Sequence, residues 1–557
     1  MPALAFRDAR EHGIPVDETL AHADAVKSFG YYDKLDSAVQ YTHIIDPAMD
    51  DGYHLLAANA VGVRPSLVTA LYARHIAAHQ KPDGRWVTGD TRPPQSYSPF
   101  TATAISLHAI QLYGHPSLAA DTEARVKHAS AWLAANAAHT TEGRTYQLLG
   151  MAWAGADRSS LGRLAQELKA TQQTDGGWNS RDGRASDAYS TGEALVALHD
   201  AAGISPSDAV WQRGLQYLLS TQAADGSWHV ESRLRPPAPV SPPYLETGYP
   251  YGDDQFISTT GASLAVMALA RALGPARKLT TAVLTEATPE NVEPWAETVL
   301  FGSPADVRAL LDKGFDPNSL TQGGGTTALM LAMPDLEKAK LLIERGANVN
   351  GRSKSKFSPL MVAANYPGST ATMRLLLDRG AQVRLPKSQG APMFNASPFF
   401  LAAMAGNIAM LRPLREAGDD PNSKMNLIGM FPSTPLLGVT TWGDAVLVRG
   451  LLDCGATVDQ ADDDGITPLG WAAIGNQPEV ARILIEHGAD VNHVDKKGMT
   501  PLLYAASIDF GSSTMIDLMV KAGANLAARN PEGLTALELA NKYKHTHLVS
   551  SLTKTSN

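Results

Sequence analysis

The sequence predicts an all-α protein made of two successive sets of helical repeats, and three observations predict it. A Gln-x-x-Asp-Gly-x-Trp segment recurs in the first half, at Gln80–Trp86, Gln172–Trp178 and Gln222–Trp228. A Thr/Ser-Pro/Ala-Leu/Phe motif recurs seven times in the second half, at intervals of 31, 39, 37, 33, 33 and 35 residues. A Gly-Ala-x-Val-x element follows four of those starts by about 20 residues, as at Gly346, Gly380, Gly455 and Gly488. A length of 557 residues exceeds what one hydrophobic core organises.

The bulk numbers exclude several classes. A net charge of −9 over this length carries no nucleic-acid footprint. No apolar run approaches the roughly 18 residues of a membrane span. The single cysteine, Cys454, rules out an intrachain disulfide and argues against a Cys-based zinc site. Pro2–Arg10 reads as helix with no N-cap before it, which implies an upstream segment and, if that segment is a signal, export.

In the first half each Gln–Trp segment closes an amphipathic helix, such as 66–80 or 211–222. Asp-Gly supplies the turn, because Gly tolerates positive φ, and the Trp covers the helix junction. A degenerate copy runs from Trp132 through Asn136 to Gly143. Second helices rich in Ala, Ser and Thr follow, beginning near residues 100, 146, 189 and 256. With 2 and 52 they make six inner helices, and outer helices lie near 18–45, 66–80, 121–136, 161–173 and 207–222. Gln80, Trp86, Gln172, Trp178, Gln222 and Trp228 are read as structural, since core aromatics mostly pack.

This pattern resembles the QW motif of the squalene–hopene cyclase and protein prenyltransferase superfamily, over residues 1–275. The resemblance implies an (α/α)6-type toroid, with inner helices around a central cavity. It does not carry the superfamily's chemistry across. No Asp-x-Asp-Asp acid motif occurs in residues 1–280, and Asp462-Asp463-Asp464 reads as a solvated turn elsewhere. The zinc site of the prenyltransferases and the thioester of complement-like toroids both need a Cys that this half lacks. No catalytic residue, metal ligand or cofactor is assigned. Similar bacterial toroid–ankyrin proteins carry an upstream CxxCH haem segment. This chain contains none, so a haem role would lie outside it.

The inner helices share an entry pattern: Asp51-Gly-Tyr53, Asp187-Ala-Tyr189 and Asp254-Gln-Phe256, with Ser98-Pro-Phe100 and Arg144-Thr-Tyr146 in the same place. The plain reading is N-cap plus core aromatic. The sharper one is an aromatic-rimmed mouth where a small ligand binds, formed by Asp51, Tyr53, Asp187, Tyr189, Tyr249, Asp253 and Asp254. Asp187, Asp253 and Asp254 are then the best acid candidates. The stretch from Val230 to Asp253, with six prolines and Tyr244, Tyr249 and Tyr251, reads as a long loop over that mouth or a mere cap on it.

The second half, 291–557 after a short linker at 276–290, resembles the ankyrin repeat, about eight units including caps. Thr-Pro starts each first helix and Gly ends each second one in a left-handed cap. Neighbours must stack, because no unit buries its own apolar face. The family's usual His after Thr-Pro-Leu is absent from every unit, which removes a hydrogen bond linking repeats.

The resemblance implies a protein partner on the stack. The 39- and 37-residue intervals lengthen two adjacent fingers with unexpected apolar residues: Met393 and Phe394 in the first, Leu427, Ile428 and Phe431, with Met425 and Met430, in the second. They read as a partner surface, or as fingers folded on each other or onto the toroid. The function expected is a non-catalytic interaction or scaffold protein. The alternative is an enzyme acting on an apolar, isoprenoid-like or glycan substrate inside the toroid, the glycan case needing two carboxylates at a set separation across the mouth.

Overall fold

The computed structural model describes residues 1–29, 34–40, 46–89, 98–233, 248–274, 292–384, 395–427 and 431–553; of 47, 426, 427, 431 and 432 it describes the backbone alone. The regular secondary structure of the described residues is almost wholly helical. Its first twelve helices are α1 (Pro2–Glu11), α2 (Glu18–Phe29), α3 (Leu35–Gln40), α4 (Gly52–Ala60), α5 (Leu67–Ala78), α6 (Pro99–Tyr113), α7 (Ala119–Ala135), α8 (Thr141–Trp153), α9 (Arg158–Lys169), α10 (Ala188–Asp200), α11 (Ala209–Thr221) and α12 (Gln255–Ala272).

Six of these pack in a cycle: α1 on α4, α4 on α6, α6 on α8, α8 on α10, α10 on α12, and α12 back on α1. Small residues set the spacing. A Cβ on Gly192 of α10 would lie 2.6 Å from the Leu264 carbonyl carbon of α12, and one on Gly150 of α8 would lie 2.9 Å from Ala104 of α6. Arg271 closes the cycle at its far end. It donates to Asp8 of α1 at 2.5 Å and to both carboxylate oxygens of Asp200 of α10 at 2.6 and 2.7 Å.

The Gln–Trp segments tie the outer helices α5, α9 and α11 to this cycle. Trp86, Trp178 and Trp228 are buried, and each indole N–H donates to the carbonyl ten residues earlier, on Ile76, Leu168 and Leu218, at 2.6, 3.0 and 2.8 Å. Gln80 and Gln172 each bridge their own turn glycine and the next outer helix, at Arg125 and Val210. Gln222 holds Gly226 alone among the described residues, and after it only α12, a member of the cycle, is described before Pro294, with no further outer helix. In the degenerate copy, Gln147 of α8 takes the indole's place and donates to Leu133 at 2.6 Å.

Two expectations need correction. Helix α8 starts one turn before Arg144–Tyr146, capped by Thr140, whose hydroxyl accepts from Gly143. Phe256 is exposed rather than core, and Asp254 makes no capping bond to α12.

From Pro294 the helices come in eight consecutive pairs: Pro294–Phe301 with Pro304–Asp312, Ala328–Ala332 with Leu336–Glu344, Pro359–Ala364 with Thr370–Asp378, Pro398–Met404 with Ile408–Glu416, Pro435–Trp442 with Ala445–Asp453, Pro468–Ile474 with Pro478–Glu486, Pro501–Ser507 with Ser513–Lys521, and Ala536–Lys542 with Thr546–Leu552. The residue before each of the second to eighth first helices, from Thr327 and Ser358 to Thr535, caps it through its hydroxyl.

Asparagine side chains link neighbouring pairs. Asn318, Asn350, Asn422 and Asn492 each donate to a glycine carbonyl of the next unit and accept from a backbone N–H two residues beyond it. In two units an aromatic one position after the missing histidine reaches the finger. Trp471 donates to Asp462 at 2.8 Å and Tyr504 to Asp495 at 2.5 Å. Asp462 is therefore half-buried and partnered, not the solvated turn residue expected.

The linker at 276–290, Tyr244, Met393, Phe394, Ile428 and Met430 lie outside the described residues. Leu427 and Phe431 are paired across a hairpin, β3 (Met425–Leu427) with β4 (Phe431–Ser433), which follows an earlier one, β1 (Trp178–Asn179) with β2 (Ser186–Asp187). Met425 is buried in the stack, so it does not belong to an exposed finger patch.

Candidate functional site

The first two turns of the cyclically packed helices bring titratable and aromatic side chains together. Counting from each N-cap, the second and sixth positions are Glu142 and Tyr146 on α8, and Tyr189 and Glu193 on α10; Tyr53 is the second on α4. Positions four apart lie one above the other on one helix face, so each helix presents a pair. Tyr53 and Tyr146 meet hydroxyl to hydroxyl at 2.9 Å. Thr101 of α6 donates to Glu142 in a very short bond. Glu193 is 2% exposed, and neither carboxylate oxygen has a hydrogen-bond partner among the described residues.

Burial governs the acids here. It pushes Glu142 up to about 8, against the Thr101 bond and the positive charge of Arg233. Glu193 is held well above the usual carboxylate range by burial and then by repulsion from Glu142 and Asp187. Asp187 rises to about 6, restrained by its capping bonds to Ser190. Burial also raises Tyr53, Tyr146 and Tyr189. Asp51, ahead of α4, is raised by burial, offset by His54. Nearby Asp46 rises to about 7, with Met49, Thr88 and Gly89 donating to it.

The residues expected at a ligand mouth divide. Asp51, Tyr53, Asp187 and Tyr189 sit on the helix entries around this group. Asp253 is exposed; Asp254 accepts from Ser232 at 2.8 Å and pairs with His229 at 2.7 Å; Tyr249 is half-buried beside Tyr251. The two glutamates were missed from sequence. Glu193 had a signal, being the one charge in the uncharged run Ala188–Leu198. Glu142 was hidden by setting α8 a turn late.

The second half covers this end of the cycle. Asp509, between the helices of the seventh pair, accepts from Arg233 at 3.0 and 3.1 Å and from Arg184 at 2.9 Å, and its carbonyl accepts from Arg181. The Arg233 guanidinium lies 5.8 Å from the Phe510 ring centroid. A Cβ on Gly89 would lie 2.8 Å from the Trp442 ring. Elsewhere Asp36 of α3 accepts from Thr321 at 2.5 Å and from Gly324 N–H at 2.6 Å. Arg74 of α5 donates to Leu300, Met333 and Tyr366. The loops and fingers that an ankyrin stack offers to partners are thus partly engaged by the chain's own first half.

Comparison with known proteins bears on the second half first. Residues 296–387 and 399–495 match a family model described as ankyrin repeats (3 copies), and 484–540 match ankyrin repeats (many copies). The C-terminal part of the chain is built of ankyrin repeats. A putative ankyrin repeat-containing protein of Treponema pallidum (strain Nichols) is 29% identical over 206 residues, 36% of this chain and 54% of that protein. A drimenyl diphosphate synthase of Streptomyces showdoensis is 34% identical over 97 residues, 17% of this chain and 18% of that enzyme. The matches therefore span about half and a fifth of these relatives. No helix among the described residues is long and apolar enough to cross a membrane, and no group of three or more His, Cys, Asp or Glu there is arranged to hold a metal.

These acids give stability a definite pH dependence. A carboxyl with a raised folded value holds a proton that the unfolded chain releases. The stabilisation is complete below the unfolded value near 4.5 and is lost as pH rises towards 8. Denaturant midpoints are expected to fall between pH 5.5 and 8, with a slope of roughly 1 kcal/mol per pH unit from Glu142 alone. Glu142→Gln with Glu193→Gln should flatten that slope.

Proposed function

We propose that the chain is an interaction protein whose N-terminal half is an (α/α)6 toroid receiving a small ligand, and whose ankyrin stack is docked across the toroid's mouth. Ankyrin repeats serve protein–protein interaction, and that part of the reading follows from the family match. The cyclic helix packing and the short likeness to a terpenoid enzyme support the toroid. The ligand reading rests on one observation, the buried and unpartnered carboxyl of Glu193 among three tyrosines. The reading divides the chain at 276–290.

The partner surface on this reading is the pair of lengthened fingers with Met393, Phe394, Leu427, Ile428 and Phe431. Phe394→Ser with Phe431→Ser is expected to abolish pull-down of the partner while leaving the melting temperature within a degree or two. A loss of several kcal/mol instead would make the fingers internal packing.

Glu193 also favours a second reading, an enzyme that protonates an apolar substrate with a buried acid. The missing acid motif argues against it. Squalene and linear prenyl diphosphates are expected to yield no cyclic product with the purified chain. A product that disappears in Glu193→Gln would establish catalysis.

A further inference from the structure

Resting on the ligand-binding reading above, we infer that the group formed by Glu142, Glu193, Tyr53, Tyr146 and Tyr189 is a site for an organic cation, an ammonium carried on an apolar body. Glu193 has no hydrogen-bond partner among the described residues, although buried polar groups almost always have one. A buried acid left in this state marks the place of a group the chain itself does not supply.

The surroundings specify that group's charge. Around Glu193 stand Glu142 and Tyr146 on α8, Tyr53 on α4, and Asp187 and Tyr189 at the start of its own helix. Helix α12, packed against α10, carries no charged side chain from Gln255 to Ala270, and its Arg271 is committed to Asp8 and Asp200. The cations that act on these acids are Arg233, which bears on Glu142 and Asp187, and Arg184, which bears on Asp187; both pair with Asp509.

An entering ammonium would let one carboxylic acid release its proton to solvent and become a charged acceptor, forming an ion pair with the ligand while the other acid keeps its proton. Tyrosine faces attract the same cation. A neutral alcohol would gain one hydrogen bond and no such pairing, and a carboxylate ligand would add a third acid. Tyr53, alone of the five, is not fully buried, and so marks the accessible side of the group.

The test uses the full chain and three probes of equal length, octylammonium, octan-1-ol and octanoate, followed by calorimetry at pH 6 and 8. Octylammonium is expected to bind at least about tenfold more tightly than octanol, the scale of a charge-assisted hydrogen bond. Its affinity should rise with pH, with proton release detectable as a dependence of the heat on buffer ionisation. Glu193→Gln should reduce the preference to within about threefold. Equal binding of octylammonium and octanol, or a preference that survives Glu193→Gln, would overturn the cation inference and leave the ligand reading standing. Absence of binding by all three probes would overturn both. Should the variant fail to fold, the pH dependence and proton release of the unmodified chain decide between the outcomes.

Discussion

Trp178→Ala is expected to lower stability by about 3–5 kcal/mol, measured by urea denaturation of the full chain. The side chain is wholly buried, and its truncation removes more than area. The indole N–H holds the end of α9 through the Leu168 carbonyl, and the Trp178 backbone N–H takes the Thr191 hydroxyl of α10 at 2.9 Å. Its ring also packs at van der Waals limit on Gly214 of α11, where a Cβ would lie 2.9 Å away. Helices α9 and α11 therefore lose a common neighbour and the Leu168 carbonyl loses a donor, while the backbone bond to Thr191 remains. Trp228→Ala, with the equivalent bond to Leu218, should fall in the same range. Losses under about 1 kcal/mol for both would remove the packing role assigned to these residues.

The second large effect lies between the halves. Asp509→Ala is expected to cost about 3–5 kcal/mol, because it removes the carboxylate that two guanidinium groups share, one of them buried. Arg233 is 4% exposed and Asp509 13%, so water does not readily take the missing partner's place. Arg184 and Arg181 lose an acceptor or its setting at the same time. Asp509→Asn should cost less, since it keeps an oxygen for one guanidinium N–H but lacks the charge. The electrostatic readout separates this from plain unfolding. With Asp509 removed, the charge of Arg233 is no longer offset there and bears more strongly on Glu142 and Asp187, so both should titrate lower and the fall in stability above pH 5.5 should become shallower. A variant as stable as the parent, with an unchanged pH slope, would show that the Arg233–Asp509 contact holds nothing.

What sequence reasoning could and could not reach follows from the range of the interactions. The repeat units were legible because their devices are local: a hydroxyl three residues from the N–H it caps, a Trp ten residues from its carbonyl, a Gly ending a helix. The entry of α10 was legible for the same reason, through Asp187 and Ser190. Helix α8 was not, because Thr140-Thr141-Glu142 starts it without the aromatic that marks the other entries, and Tyr146 sits a turn further on. Glu193 stood out only as a lone charge in an apolar run. Its company of Glu142 and three tyrosines comes from three helices and has no sequence spacing. The same holds for the docking of the two halves. Arg184 and Asp509 are separated by 325 residues, and nothing in Ile508-Asp509-Phe510 distinguishes an interdomain anchor from an ordinary loop.

The asparagine bridges between ankyrin units also carry a mechanical consequence. In a stack where each unit touches only its neighbours, stability passes along the chain through nearest-neighbour terms. Asn318, Asn350, Asn422 and Asn492 strengthen four of those junctions with a donor and an acceptor each, and Asp459 serves a fifth as an acceptor for Asp490 N–H. At the equivalent place in the third unit stands Arg384, which makes no such bridge among the described residues. That junction is tied in another way, by the buried Asn407 amide, which donates to the Ala364 and Tyr366 carbonyls, and by the charge of Arg384 on Asp419. Each junction from the first unit to the seventh thus carries a polar tie, and the run is anchored to α3 and α5 by Asp36 and Arg74 and to Arg184 and Arg233 by Asp509. A pull on one anchorage is then carried along the whole run to the other rather than absorbed at one joint.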